Sequence, residues 1–414
     1  MSHGNPECRD KIGGRGICMK RTGPLAGVKV LELARILAGP WAGQVLADLG
    51  ADVVKVESPS GDDTRSWGPP FVAAEGGGDL GAAYYHSCNR GKRSIVADFS
   101  DPGDLSTVRR LVANADIVIE NFRVGSLKKF NLDAESLREL KPSLIVVSIT
   151  GFGQTGPYAP RAGYDFIIQG MGGIMDVTGE PDGGPMRMGV AYADIFTGLY
   201  AVIGLLAALR RRDETGEGAH LDMALLDTQA SLLQAPAMNY FVSGETPQRM
   251  GAAHPNLVPY EVVPVADGAI VLAVGSDQQF RHACEVLGCR ELADDKRFAT
   301  NADRVVHRAT LMALLKARTA LMTKAVLAAA LEAKGVPFGP INTVAEVFAD
   351  PQVMHRGIRV DLEAPHASGG TVPSLRTPIM LDGVAQVAQG VSPELGADTD
   401  DVLADHSWGG DKSI

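Results

Sequence analysis

Asp194, in AYADIFTGLYAVIGLL, is the residue whose type and setting point most directly to chemistry. It stands where a loop turns into a long apolar helix. An aspartate at that point can cap the helix by accepting from an orphan N–H. The same place favours an ionised carboxylate, and a carboxylate is one of the covalent nucleophiles. A second stretch, LIVVSITGFGQTG (144–156), spells G-x-G-x-x-G after a β-branched run. The dinucleotide fingerprint also needs a helix opening at its last glycine, facing a pyrophosphate. Here PYAPRAGYD follows, and two prolines in four residues argue for a turn. No H-E-x-x-H, G-x-S-x-G or Walker motif occurs, and no paired acids at helical spacing suggest glycosidase chemistry. His254, in GAAHPNLVPY, reads as a loop histidine.

Such residues need a frame, and the pattern from Leu25 onward supplies an α/β one. VKVLEL (28–33), ADVVKVE (51–57), KRSIVADF, DIVIENF and LIVVSIT read as strands, with helices at PWAGQVLADLG (40–50), DLSTVRRLVANA and DAESLRELKPS between them. Strands alternating with single helices predict a parallel, Rossmann-like sheet with right-handed crossovers. Ligands of such sheets sit outside the carboxyl ends of the strands, here ARILAGP, SPSGDD, NFRVG and GFGQTG. GLYAVIGLLAAL (198–209) is apolar all round and is expected to be a fully buried helix. EVVPVADGAIVLAV predicts a hairpin turning at Asp267-Gly268, followed by helices of a smaller α+β domain. The expected organisation is an N-terminal extension at 1–24, a large domain at 25–225, a small domain at 240–340, and a segment at 345–414 returning to the large domain.

The 414 residues allow two sizeable cores, and a net charge of −10 argues against nucleic acid or an anionic membrane as partner. Five sparse cysteines without metal-ligand spacing suit a reducing, cytoplasmic setting, with no metal site. No stretch reads as a membrane span by length and lack of charge.

PLAGVKVLELARILAGPWAGQVLADLGADVVKVESP, NRGKRS, ADIVIENF, SITGFGQTGPY, AGYD, AYADIFTG, ETGEGAHLDMAL, GVPFGPI and LGADTDDVL, in that order, resemble the class III CoA-transferase family. That family includes formyl-CoA and carnitine CoA-transferases and is related to α-methylacyl-CoA racemase. The NRGKRS, GAAH…VPY and GVPFGPIN segments look most similar to succinate–hydroxymethylglutarate (glutarate) CoA-transferases. The resemblance implies that Asp194 is the nucleophile, that GFGQTG is a turn leading to the active site, and that the chain forms an interlocked homodimer. It implies CoA contacts at Leu37 and Ala38 (thiol arm), Asn121 and Phe122, Lys129, and Arg161 and Tyr164. Ser58 stands in place of a further basic residue on the phosphates, and Leu37 replaces a glutamine of the formyl-CoA enzymes. The Gly-rich loop over the formyl-CoA site has no counterpart; GAAHPNLVPY occupies that region.

The chemistry so implied moves CoA from an acyl-CoA, of the succinyl kind, to a small carboxylic acid. It proceeds through an aspartyl anhydride and an aspartyl-CoA thioester, with no permanently bound cofactor. Racemases of this scaffold place a histidine before an aspartate; this chain has Tyr164, and a tyrosine pKa of about 10 makes a poor proton shuttle at neutral pH. A carnitine-type transferase would need an aromatic cage, which nothing here suggests. A dicarboxylate's second carboxylate would need a cation, for which Arg90, in SCNRGKRS, and Arg304, in NADRVVHR, are the expected residues.

Overall fold

The computed structural model describes residues 22–410, so the expected N-terminal extension lies almost wholly outside the described residues. Strands and helices alternate as the hydrophobic pattern requires. In chain order they are β1 (Lys29–Glu32), α1 (Ala38–Asp48), β2 (Asp52–Glu57), β3 (Arg93–Val96), α2 (Pro102–Asn114), β4 (Ile117–Glu120) and α3 (Ala134–Leu140). There follow β5 (Ile145–Thr150), α4 (Asp165–Met171), α5 (Tyr192–Thr215) and β6 (Ala219–Ala224). Asp101 starts α2 by accepting from the Gly103 and Asp104 amides, with Pro102 preset for the first turn. The six strands form one parallel sheet in the order β3-β2-β1-β4-β5-β6. Val30, Leu31, Val53, Val54, Ile117, Val118, Val146 and Val147 are buried, as a sheet covered on both faces demands. The strand order reverses between β1 and β4, and the crevice beyond their carboxyl ends is where ligands of such sheets bind.

Two compact units divide the chain. The first takes residues up to Gly163, then Asp194–Leu225, then residues from Ile358. Its returning segment adds the hairpin β10 (Arg359–Glu363) and β11 (Thr371–Leu375), and sends Val402 and Trp408 into the core with Leu31, Val54 and Leu111. The second unit takes Tyr164–Ala193 and Leu226–Gly357, including a stretch of 30 residues that the sequence pattern assigns to the large domain. It contains α6 (Gln234–Ser243), the hairpin β7 (Tyr260–Val265) and β8 (Gly268–Ala273), and the helices α7 (Asp277–Val286), α8 (Asn301–Val306), α9 (Arg308–Thr319) and α10 (Lys324–Ala333). β9 (Phe338–Pro340) completes an antiparallel sheet in the order β9-β8-β7. Val265 pairs with Gly268, so the hairpin turns at Ala266-Asp267, one residue earlier than expected.

Helix α5 corrects two expectations. It is the one helix among the described residues long and apolar enough to cross a membrane, although the sequence reading found no such stretch. It is also not fully buried: Ala201 and Leu205 are, but Tyr200, Ile203 and Leu206 are exposed, Ile203 at 61%. One face of an all-round apolar helix meets the core, and the other is left uncovered in a single chain.

Candidate active site

The loop leaving β1 is held in an unusual conformation. Ile36 has φ +72, a left-handed value that a β-branched residue rarely adopts. Its N–H donates to both oxygens of the Asp62 carboxylate, at 3.3 and 3.1 Å, and the Cys88 thiol approaches its carbonyl at 3.6 Å. Asp62 in turn pairs with Lys55 at 3.0 Å, while the Lys55 ammonium donates to Glu32 at 3.2 Å and to the Ala34 carbonyl at 2.8 Å. Lys92 completes the cluster, donating to Glu32, to the Pro40 carbonyl at 2.8 Å and to Asn89 at 2.9 Å. Burial alone would push the Lys55 ammonium down, but Glu32, Asp62 and Glu57 hold it above the ordinary lysine value. Burial likewise opposes charge on Asp62, and Lys55 with the Thr64 amide brings its carboxyl below the usual range. This buried charge network fixes where α1 begins, and so fixes Leu37 and Ala38, both buried at its first turn.

The loop after β4 is tied to the same place. Asn121 accepts from the Arg35 amide at 3.0 Å and donates to the Arg35 carbonyl at 2.7 Å, so its side chain stitches the two loops across the switch point. Glu120 accepts from the Phe122 amide at 2.8 Å; burial pushes its carboxyl up. Phe122, Phe99 and Phe130 form an aromatic wall, with ring centroids 6.1 and 5.8 Å apart, along a cavity of about 290 Å³ that Ser58, Arg35 and Asp62 also line. Lys129, exposed beside it, lies 4.6 Å over the Phe130 ring. Arg161 stacks on Tyr158 at 4.0 Å, and Tyr164, 60% exposed, precedes α4 in the second unit.

The turn after β5 is closed without a helix. Gly153 donates to Thr150 at 3.0 Å and Gln154 to Asp222 at 2.9 Å, and a Cβ on Gly151 would lie 2.5 Å from the Gly163 Cα. The glycines serve a tight fold-back, and no helix starts at Gly156 to face a pyrophosphate.

Asp194 lies inside the first turn of α5, as its third residue, and is therefore not the N-cap. The capping work at this helix start falls to Asp165, which accepts from the Ala193 amide at 2.8 Å. Gly198 stands one turn beyond Asp194 on the same face. A Cβ at Gly198 would lie 2.6 Å from the Ala38 carbonyl oxygen, so the face of α5 that carries Asp194 is laid against the start of α1. Gly198, one turn from Asp194, thus packs on the first turn of α1, which Leu37 and Ala38 open.

The two arginines expected to hold substrate are buried and hydrogen-bonded to protein groups. Arg90 and Arg304 are each 1% exposed. Arg90 forks onto Asp48 and donates to Ser374 at 2.7 Å and to the Leu375 carbonyl at 2.6 Å. Arg304 donates to the carbonyls of Val258 (2.8 Å) and Phe298 (3.0 Å) and to Asp277 (2.8 Å), over the Phe280 ring. With their donors engaged by the protein, both hold loops together. The sequence reading also missed Ile36, Asp62, Lys55 and Gly198. The signal available for the network was a charged residue inside each of two apolar strand runs, Glu32 and Lys55, since a strand of a covered parallel sheet buries both faces.

Comparison with known proteins identifies the family. The chain is 56% identical over 386 residues to the "Succinate--glutarate CoA-transferase" of Agrobacterium fabrum, covering 93% of this chain and 96% of that one. It is 42% identical to the human "Succinyl-CoA:glutarate CoA-transferase", over 87% of this chain and 83% of the relative. The crystal structure of a CAIB/BAIF family protein from Brucella suis, 57% identical, superposes with a TM-score of 0.81 over 92% of this chain and 99% of that one. The pattern of CoA-transferase family III spans residues 25–399, nearly the whole described chain, and the protein belongs to that family.

Proposed function

We propose that this class III CoA-transferase takes succinyl-CoA as donor and a dicarboxylic acid such as glutarate as acceptor, with Asp194 as covalent nucleophile. The activities named for the relatives at 56% and 42% identity support the substrates. The observation that carries the nucleophile is the seating of the Asp194 face of α5 against the start of α1.

The Asp194 carboxylate attacks the donor thioester carbonyl and expels CoA thiolate, leaving a mixed anhydride. The thiolate attacks the aspartyl carbonyl, releasing succinate and leaving an aspartyl-CoA thioester. The acceptor carboxylate then attacks that thioester, and the returning thiolate takes the acceptor's acyl group and frees Asp194. Each tetrahedral stage carries an oxyanion. Backbone N–H groups aimed at such a charge lower the barrier by about 2.7–4 kcal/mol each. The positive end of α5 favours the carboxylate form that begins the cycle.

The CoA contacts belong to the same proposal. Leu37 and Ala38 line the thiol arm; Phe122, Ser58 and Lys129 border the cavity beyond β1 and β4 that suits the nucleotide end. Asn121 contributes chiefly by fixing the Arg35 loop. Arg161 and Tyr164 pass over the CoA. A homodimer is supported by two uncovered apolar faces, Tyr200, Ile203 and Leu206 on α5 and Met238, Phe241 and Val242 on α6. The buried free thiols of Cys88, Cys284 and Cys289 support a reducing, cytoplasmic compartment.

The experiment is Asp194→Asn, assayed with succinyl-CoA and glutarate, together with hydroxylamine trapping of the wild type during turnover. Transfer should be lost while CoA still binds, and the hydroxamate should map to Asp194. Substantial residual transfer, or labelling of another carboxylate, refutes the assignment.

A further inference from the structure

Cys284 and Cys289 stand at the carboxyl end of α7, in the core of the second unit. The backbone there closes the helix in a Schellman turn. The Cys289 amide donates to the Cys284 carbonyl at 2.9 Å and the Gly288 amide to the Glu285 carbonyl at 3.2 Å, with Gly288 at φ +64. Such a turn brings the side chains at its two ends together, a place often filled by an apolar pair. Here both are thiols, 0% and 1% exposed, and they are hydrogen-bonded to each other. With that 2.9 Å hydrogen bond and standard bond lengths, the two Cα atoms lie no more than about 6.8 Å apart, within the span that a disulfide bridges.

The two sulfurs differ. The hydrogen bond with Cys289, and then burial, push the Cys284 thiol up, whereas the same hydrogen bond brings the Cys289 thiol below its ordinary value. The thiolate is the reacting form, so Cys289 is the nucleophile of the pair and Cys284 the thiol beside it. Cys88 supplies the contrast. Burial pushes its thiol up to about 12, and its S–H faces the carbonyls of Ile36 and Tyr85. The Cys284–Cys289 pair lies one layer below solvent, since Glu285, Gly288 and Arg290 beside it are exposed. Helix ends open at small free-energy cost, and that opening admits a small reagent more readily than a large one.

We propose that Cys284 and Cys289 form a redox modification site, closed to an intramolecular disulfide by a small hydroperoxide such as hydrogen peroxide. The Cys289 thiolate attacks one peroxide oxygen, the O–O bond breaks, and the departing hydroxide takes up the thiol's proton as water. Cys289 is then a sulfenic acid. The Cys284 sulfur attacks the Cys289 sulfur, the S–O bond breaks, and hydroxide leaves with the Cys284 proton as a second water. The pair of sulfurs gives up two electrons, and the peroxide is reduced to two waters. In a reducing compartment the bond is transient, and exchange with a cellular thiol reopens it.

The test uses the full-length native protein. Trypsin cuts after Arg281 and Arg290, so the peptide HACEVLGCR carries both cysteines and no other. The protein is treated with hydrogen peroxide, quenched with catalase, denatured, blocked with N-ethylmaleimide and digested for mass spectrometry. HACEVLGCR should be lighter by two hydrogens and carry no maleimide, and dithiothreitol before blocking should restore two. In Cys284→Ser, dimedone should label Cys289 as the sulfenic acid; in Cys289→Ser, Cys284 should stay unlabelled after the same exposure.

Two maleimides on the wild-type peptide after prolonged exposure overturn the proposal. So does a sulfinic or sulfonic acid in place of the disulfide, or a bridge from either cysteine to Cys8, Cys18 or Cys88. A disulfide that forms only in urea, with circular dichroism reporting the fold, overturns it as well. Dimedone on Cys284 in Cys289→Ser, with none on Cys289 in Cys284→Ser, overturns the order of attack. If the serine variants do not fold, the mass of the wild-type peptide decides alone.

Discussion

Replacing Asp62 with asparagine probes how the protein holds its first active-site loop. The carboxylate is buried and serves four donors: the Ile36 and Thr64 amides, the Thr64 hydroxyl and Lys55. Asparagine keeps one carbonyl oxygen for the amides and removes the charge. Breaking a buried ion pair by deleting one partner costs about 3–5 kcal/mol. Lys55 keeps Glu32 at 3.2 Å and the Ala34 carbonyl at 2.8 Å, so the lower end, about 3 kcal/mol, is expected here. At roughly 2–4 °C per kcal/mol for a domain of 150–250 residues, the first unit should melt about 6–12 °C lower.

Differential scanning calorimetry at several pH values checks both size and cause. The folded Asp62 carboxyl lies below its ordinary value, so its stabilisation is present above the unfolded carboxylate pKa of about 4 and is lost as pH falls through the folded value. The gap between wild type and Asp62→Asn should therefore be full at pH 7 and narrow below about pH 4. Adding Lys55→Met should recover part of the loss, because the uncompensated buried ammonium is then gone. A loss under about 1 kcal/mol, or a gap that does not narrow in acid, would refute the ion-pair account.

Four further outcomes are expected. Gly198→Ala puts a Cβ 2.6 Å from the Ala38 carbonyl; overpacking of this kind costs about 1–3 kcal/mol, and kcat should fall more than the KM for acyl-CoA rises, as steady-state kinetics will report. Arg90→Ala strands the Asp48 carboxylate, which also holds the Thr377 and Ala388 amides, so urea unfolding should show a loss of about 3–5 kcal/mol with no selective effect on dicarboxylates. Glu120→Gln should raise the melting temperature at pH 7, since burial raises the folded glutamate pKa and the wild type pays to ionise; the gain should vanish below about pH 4. Ile36→Gly relieves a left-handed strain of about 1–2 kcal/mol but frees the loop, so stability should change little while kcat drops.

The strands and helices of the first unit were legible because β-branched runs and apolar periodicity report burial directly, and alternation of the two implied the parallel sheet. The turn at GFGQTG was legible from Pro157 and Pro160, which forbid the helix a dinucleotide site needs. The position of Asp194 was legible only as a helix start; that Gly198, one turn on, lies against the Ala38 carbonyl depends on a contact across some 160 residues. The assignment of residues 164–193 to the second unit was not legible, because no composition change marks either end. The exposed face of α5 was hidden for a related reason: an all-round apolar helix shows no polar side to signal which face the single chain leaves uncovered.

Cations were the hardest residues to read, and the cause is specific. Whether an arginine is available to a ligand depends on its partners, and those partners come from elsewhere in the chain. Arg90 is consumed by Asp48 and by Ser374, 42 and 284 positions away. Arg304 is consumed by Asp277 and the Val258 carbonyl, 27 and 46 positions away. Arg308 lies only four residues beyond Arg304, yet it finds a lone carbonyl, at Pro255. Local sequence around the two is nearly the same kind of helical, mixed-charge text, so no pattern rule separates them. The distinction is one of saturation: a guanidinium whose donors are spoken for by carboxylate and carbonyl is architecture, and one that retains an idle, desolvated donor beside a cavity has capacity left for an anion. By that criterion Arg90 and Arg304 carry structure as they stand, and the unfolding of Arg90→Ala set beside its acceptor kinetics is the direct check of that reading.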